Sequence, residues 1–263
     1  MKKTYSITAA KGFLIGATMI IPGVSGGTMA MLLGIYDELI HSISSFQNKP
    51  KKSALFLTVF SVSGILGMML FSTPLSILLE TYPMETLYFF LGAVFGGIPV
   101  IEKKSGIGRF SFDALFFIFL GLILVLSFSS LPEEFISVNN KGSSLPLVFL
   151  IVGLLSSVAL ILPGISFSHF ILILGLYQTL LEAIHSLQFT MLVPLGVGIL
   201  GGIVLFTKGL DYIMNRYPKQ TYLVILGFIL GSAAYIFPGI PTGWSFFVCM
   251  FLAVSGFWAV YRM

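Results

Sequence analysis

IIPGVSGGTMAMLLGIYDELIHSISSFQ, residues 20–47, decides the fold, because it returns as ILPGISFSHFILILGLYQTLLEAIHSLQ at residues 161–188. At the constant offset of 141, Pro22 matches Pro163, Gly23 matches Gly164 and Ser25 matches Ser166. Further along, Gly34 matches Gly175, Tyr36 matches Tyr177 and Gln47 matches Gln188. A second block agrees at offset 135: Tyr82-Pro83 with Tyr217-Pro218, Thr86 with Thr221, Leu91-Gly92 with Leu226-Gly227, and Gly121 with Gly256. The chain is therefore a duplication, with one repeat over residues 12–130 and the other over 147–263.

Around the repeated stretch the composition is that of a membrane protein. Of 263 residues 57% are hydrophobic and only 9% charged, where a soluble domain carries about 25% charged residues. The net charge of +4 comes from a few loop lysines, with no basic patch to read nucleic acid. Cys249 is the single cysteine, so no intrachain disulfide and no zinc cluster is expected. Lys2, Lys3 and the apolar run after residue 12 imitate a signal peptide, but PGVSGGT and more apolar chain follow where a cleavage site would stand.

About 20 apolar residues cross the hydrocarbon core. Stretches free of Asp, Glu, Lys and Arg cover residues 12–36, 53–79, 86–101, 114–132, 142–181, 183–207 and 220–261. Pro22-Gly23, Pro163-Gly164 and the Pro238-to-Gly243 turn interrupt three of them, since none can continue a helix. Cytoplasmic loops are rich in Lys and Arg, so Lys2, Lys3 and Lys11 put the N-terminus inside, and Lys49, Lys51 and Lys52 put the next loop there too. Residues 12–46 must then enter and leave on one side. Glu80 and Glu85 read as external, Lys103, Lys104 and Arg109 as cytoplasmic, Glu133 and Glu134 as external, and Lys208, Arg216, Lys219 and Arg262 as cytoplasmic. The expected fold is a single all-α polytopic membrane domain of six full spans plus two re-entrant or broken helical hairpins, with both termini in the cytoplasm.

Each repeat is one hairpin followed by three spans. Three is odd, so the second repeat starts from the opposite side of the bilayer. This is the inverted-repeat plan of secondary transporters, whose sites lie on broken helices at the repeat interface. In the first hairpin Ser25, Gly26, Gly27 and Thr28 stand at a helix start, where unpaired N–H groups and the helix dipole favour an anion. The second copy offers Ser166, Ser168 and His169, with Phe167 in place of the first glycine. An ionisable group at membrane depth is a functional candidate, although His169 also fits as a buried, hydrogen-bonded imidazole. Gly34, Gly175, Tyr36 and Tyr177 read as packing and interface-anchor residues. The blander reading, that both Pro-Gly elements are mere helix breaks, leaves the repeated serine unexplained.

PGVSGGT followed by LGIYDELI, and LPGIS followed by LGLYQTLL, resemble the bacterial polyprenyl-phosphate (undecaprenyl-phosphate) transporter family, formerly a membrane family of unknown function. The resemblance spans the chain, departing at Met19, where members carry an acidic residue, and at Phe167. It implies a flippase that returns the carrier lipid from the outer to the inner leaflet of the bacterial plasma membrane for cell-envelope and peptidoglycan synthesis. The polyprenyl phosphate would be bound without metal or cofactor, amid membrane lipids, with proton coupling through His169 as a hypothesis; the oligomeric state stays open. Two rivals remain: a polyprenyl pyrophosphate phosphatase, which would need a cation and acidic groups that neither hairpin tip offers, and a small-anion channel or exporter using the same dipoles.

Overall fold

Proline opens a new helix at Pro83 and Pro218, and left-handed glycines end short ones at Gly34 and Gly175, matching positions in the two halves of the chain. The computed structural model describes residues 2–19, 24–106, 112–132 and 145–262. The first half of the chain supplies α1 (Lys2–Thr18), α2 (Gly26–Leu32), α3 (Tyr36–Ser44), α4 (Pro50–Thr81), α5 (Pro83–Ser105) and α6 (Phe112–Ser129). The second supplies α7 (Leu145–Ile161), α8 (Phe167–Ile173), α9 (Tyr177–His185), α10 (Phe189–Arg216), α11 (Pro218–Ile236) and α12 (Trp244–Tyr261). Among the described residues α4, α5, α6, α10, α11 and α12 are long and apolar enough to cross a membrane, giving the six spans expected. Pro22, Gly23, Arg109, Glu133 and Glu134 lie outside the described residues.

Backbone torsions repeat with the sequence. Tyr82 (φ −133°, ψ 61°) and Tyr217 (φ −131°, ψ 58°) make the same sharp link before a proline that opens the next helix. Thr86 Oγ1 then donates to the Leu78 carbonyl at 3.2 Å, and Thr221 Oγ1 to that of Ile213 at 3.3 Å. Gly34 and Gly175 sit at φ +67° and +65°. Ile35 N–H reaches Ala30 O and Gly34 N–H reaches Met31 O, as Leu176 N–H reaches Ile171 O and Gly175 N–H reaches Leu172 O. These are Schellman stops, which need a residue at ease in the left-handed region. The expectation that these glycines serve packing is thus corrected: they end α2 and α8, so the return arm of each hairpin is two short helices instead of one. The outgoing arms, α1 and α7, are 17 residues each, about 25 Å long, and are longer than half-helices.

Packing separates an inner pair from an outer ring. Half of the apolar window of α5 and 67% of that of α11 is buried, against 11–17% for α4, α6, α10 and α12. α1 packs on α4 and α7 on α10, within a repeat; α5 packs on α12 and α6 on α11, across repeats. All four seams are glycine contacts. A Cβ on Gly16 would strike the Gly64 carbonyl oxygen, one on Gly92 that of Ala253, one on Gly227 that of Ile118 and one on Gly153 that of Leu195. Lipid tails give helices no hydrophobic reason to associate, so close backbone approach through small residues supplies the contact. We expect Gly16→Val to lower stability by about 1–3 kcal/mol through overpacking, while Gly196→Ala, whose Cβ meets open space, leaves it unchanged or slightly raised. Thermal unfolding of the detergent-purified protein checks both.

Candidate functional site

The two hairpins meet at their breaks. Ser25, in extended conformation (φ −82°, ψ 148°), caps α2: its Oγ accepts from Thr28 N–H at 3.1 Å. The Ser25 and Thr28 hydroxyls lie 2.9 Å apart. Into this pair Gly164 of the second break donates its N–H, at 2.9 Å to Thr28 Oγ1 and 3.2 Å to Ser25 Oγ. Gly164 has φ +83°, and a Cβ there would come within 2.5 Å of the Phe228 carbonyl oxygen, so only glycine fits. Ile161 closes α7, where the last carbonyls lack intrahelical partners; the fully buried Tyr36 hydroxyl donates to its oxygen at 2.7 Å. Tyr36 is therefore a buried tie between hairpins, which corrects its reading as an interface anchor.

A cavity of about 400 Å³ opens beside this junction, with Ser25, Gly26, Gly27, Ser166 and Phe167 on its wall together with Tyr36, Ile161 and apolar side chains. The volume suits a small ligand or a lipid headgroup with its first carbons. None of its described lining residues is charged, so an anion there would be held by N–H and O–H donors. Proton counting identifies one. The paired hydroxyls use one proton between them, while both bound N–H groups are donors already. One O–H is left for a third partner, and Ser25, which faces the cavity, is placed to offer it.

The expected site residues separate into three places. Ser25, Gly26, Gly27 and Ser166 share the cavity, whereas Thr28 is buried behind it and positions Gly164. His169 is not on that wall. It borders a second cavity of about 20 Å³ with Ser129, Gly164, Ser166, Ser232 and Tyr235, room for about one water. Its ring stands between Phe128 and Tyr235, with centroids at 5.9 and 6.4 Å, and its Nε2 is buried without a hydrogen-bond partner. Ser166 lines both cavities. The side chain of Ser168, like Pro22 and Gly23, lies outside the described residues. α2 and α8 have seven residues each, so their dipoles are short and local donors matter more. Ser166 precedes α8 without a side-chain cap bond, unlike Ser25.

The sequence reading missed Tyr36, Ile161 and the Gly164 N–H. A signal existed: a helix broken inside a membrane frees carbonyls and N–H groups that must find partners, and the other copy holds the nearest donors and acceptors. Polar ties at the other end of hairpin one were missed too. Lys104 Nζ pairs with Asp37 Oδ2 at 2.6 Å, and Ser44 Oγ donates to Asp211 Oδ2 at 2.5 Å with His41 Nδ1 3.4 Å from the same oxygen. These fasten α3 to the ends of α5 and α10.

Comparison with known proteins agrees with the motif resemblance. A family model described as undecaprenyl phosphate translocase-like matches residues 15–248. The polyprenyl-phosphate transporter of Staphylococcus aureus (strain NCTC 8325 / PS 47) is 32% identical over 266 aligned residues, covering 95% of this chain and 93% of the relative. The polyprenyl-phosphate transporter of Vibrio cholerae serotype O1 (strain ATCC 39315 / El Tor Inaba N16961) is 31% identical, covering 89% and 78%. No solved structure matches the chain.

The hairpin junction makes its own prediction. Tyr36→Phe strands the Ile161 carbonyl in a buried setting, and a lost partner there costs about 1–3 kcal/mol. A thermal transition equal to wild type would show that the tie carries no weight.

Proposed function

The chain belongs to the undecaprenyl phosphate translocase-like family, and from that premise we propose that it moves polyprenyl phosphate from the outer to the inner leaflet of the bacterial plasma membrane, returning the carrier lipid to cell-envelope synthesis. It is a multi-pass membrane transporter and not an enzyme. The observation that carries the finer reading is the meeting of the two Ser-bearing breaks beside one cavity. We take Ser25, Gly26, Gly27 and Ser166 as direct phosphate partners, with Thr28 and Gly164 behind them.

A phosphate monoester carries about −1.5 to −2 charges at neutral pH, and its unpaired transfer to hydrocarbon costs tens of kcal/mol in the Born limit, roughly. Hydrogen bonds to a charged group contribute about 1.5–3 kcal/mol each. Several donors and retained water are therefore required, while the isoprenoid chain stays among apolar side chains and lipid. The apolar remainder of the cavity wall suits that division.

The inverted-repeat reading is supported by the matched torsions at Gly34 and Gly175 and at Tyr82 and Tyr217 and by the packing of α5 on α12 and of α6 on α11 across the two halves. In this reading the hairpins enter from opposite leaflets, both termini are cytoplasmic, and the Asp37–Lys104 and Asp211–Ser44 ties close the cytoplasmic end. Opening them would expose the cavity inward.

Inward movement of an anion against a potential negative inside costs about 2.3 kcal/mol per charge per 100 mV. Proton co-transport would offset it, and His169 is the side-chain type that changes charge near neutral pH. Its unpaired Nε2 and the water-sized space beside Ser166 support this role.

Two measurements test the reading. Undecaprenyl phosphate binding should weaken about tenfold in Ser25→Ala and Ser166→Ala, the loss of one charge-assisted bond, with folding checked by thermal unfolding; equal affinity in all three proteins would move the headgroup elsewhere. In proteoliposomes, wild-type transport should rise as external pH falls, and His169→Gln should flatten that dependence. A wild-type rate indifferent to pH would remove the coupling.

A further inference from the structure

A cavity of about 630 Å³ lies at the start of α4 and shares no wall residue with the one beside Ser25. Tyr5 of α1 and the side of α3 that carries Glu38 and Ser42 form one wall; Lys49, Lys51 and Lys52, with the first turns of α4, form the other. α4 is long and apolar enough to cross a membrane, so its charged opening turn places the cavity at the membrane surface. The three lysines are exposed, and none has a carboxylate within ion-pair distance among the described residues. Against their three positive charges the described wall sets one negative charge, Glu38. With His41 neutral, two positive charges are left over.

Loop lysines by themselves record only on which side of the membrane a loop lies. Two hydroxyls in the cavity need a different account. Ser53 is 3% exposed and Ser42 9%, both line the cavity, and neither hydroxyl has a hydrogen-bond partner among the described residues. Buried hydroxyls are ordinarily paired. A helical serine can donate to a carbonyl one turn back, as Ser45 and Ser63 do; Ser42 and Ser53 make no such bond. α4 adds donors of another kind. Its N-cap Lys49 makes no side-chain cap bond, so first-turn N–H groups lack a partner within the helix where its dipole is positive.

We infer that this cavity is a second anion site, for the phosphomonoester headgroup of a lipid at the membrane surface. A phosphomonoester carries about −1.5 to −2 charges at neutral pH, which matches the two positive charges left over on the wall. A phosphodiester, with a single charge, leaves part of them uncompensated. The monoester's three acceptor oxygens also take ammonium, seryl and backbone N–H donors together. The far wall decides between a lipid and free phosphate. Leu55, 48% exposed, and the buried Phe56 line the cavity one turn further into α4, and only 11% of the apolar window of α4 is buried. A chain attached to the phosphate can therefore lie along α4 in the bilayer, whereas inorganic phosphate gains nothing from that wall. The site is read from its own residues and holds whether or not a phosphate also sits at Ser25.

Native mass spectrometry of the full chain in detergent, which tells bound lipids apart by mass, tests this with phosphatidate, phosphatidylglycerol and inorganic phosphate as probes. Wild type should hold phosphatidate more tightly than the diester phosphatidylglycerol and should keep it in an excess of inorganic phosphate. Lys49→Gln with Lys51→Gln and Lys52→Gln should weaken phosphatidate about a hundredfold. Lys103→Gln with Lys208→Gln and Lys219→Gln removes the same charge from exposed positions outside the cavity and should change it little. Ser42→Ala with Ser53→Ala leaves the charge intact and should weaken phosphatidate about tenfold, the loss of one charge-assisted hydrogen bond; thermal unfolding checks that each variant is folded. Equal loss in the two lysine triples, full affinity in the seryl pair, equal affinity for the diester, or displacement by inorganic phosphate overturns the site. Undecaprenyl phosphate then separates the two sources of the headgroup. If it displaces phosphatidate, the occupant is the lipid of the proposed transport; if it does not, the occupant is a resident membrane lipid, and either result supports the phosphomonoester site.

Discussion

A backbone N–H freed by a helix break in a membrane has no water to turn to, and leaving it unpaired costs several kcal/mol, roughly. Gly164 answers this constraint by donating into the hydroxyl pair of Ser25 and Thr28 on the other hairpin. In return Tyr36 of hairpin one satisfies the Ile161 carbonyl of hairpin two. Each break completes the other. The rest of the architecture brings these two weak points to one place and keeps them there.

Glycine makes that convergence affordable. Four helix pairs touch backbone to backbone, two within a repeat and two between repeats; the larger core draws on both halves, and a smaller one around Phe149, Ile171 and Leu176 lies in the second half alone. α5 and α11 are the most buried of the spans, and α2 lies against α5. Where glycine faces open space, as at Gly196, it forms no seam. The same residue type serves contact at one position and clearance at another, and only its neighbours tell the two apart.

The repeats differ in their polar chemistry. Asp37 and Glu38 of the first correspond to Gln178 and Thr179 of the second, and the pairing of Asp37 with Lys104 has no counterpart among the described residues at the matching positions. His169 replaces Thr28. A duplicated frame carrying unequal charges gives unequal energies to its alternative conformations, and so unequal populations.

The all-helical fold and the six spans were legible in the chain itself, because they depend on local properties: apolar length, proline geometry and the scarcity of charge. The candidate serines were legible for the same reason. What the helices touch was not. Gly34 and Gly175 gave a period but not their left-handed torsions, Tyr36 resembled a surface anchor until its hydroxyl met a carbonyl 125 positions away, and His169 looked like a companion of Ser25 until Ser166 stood between them. Hydrogen bonds and cavities are made by residues distant in sequence, so their partners are fixed only when the two halves pack, and no pattern along a single strand of residues carries that distance.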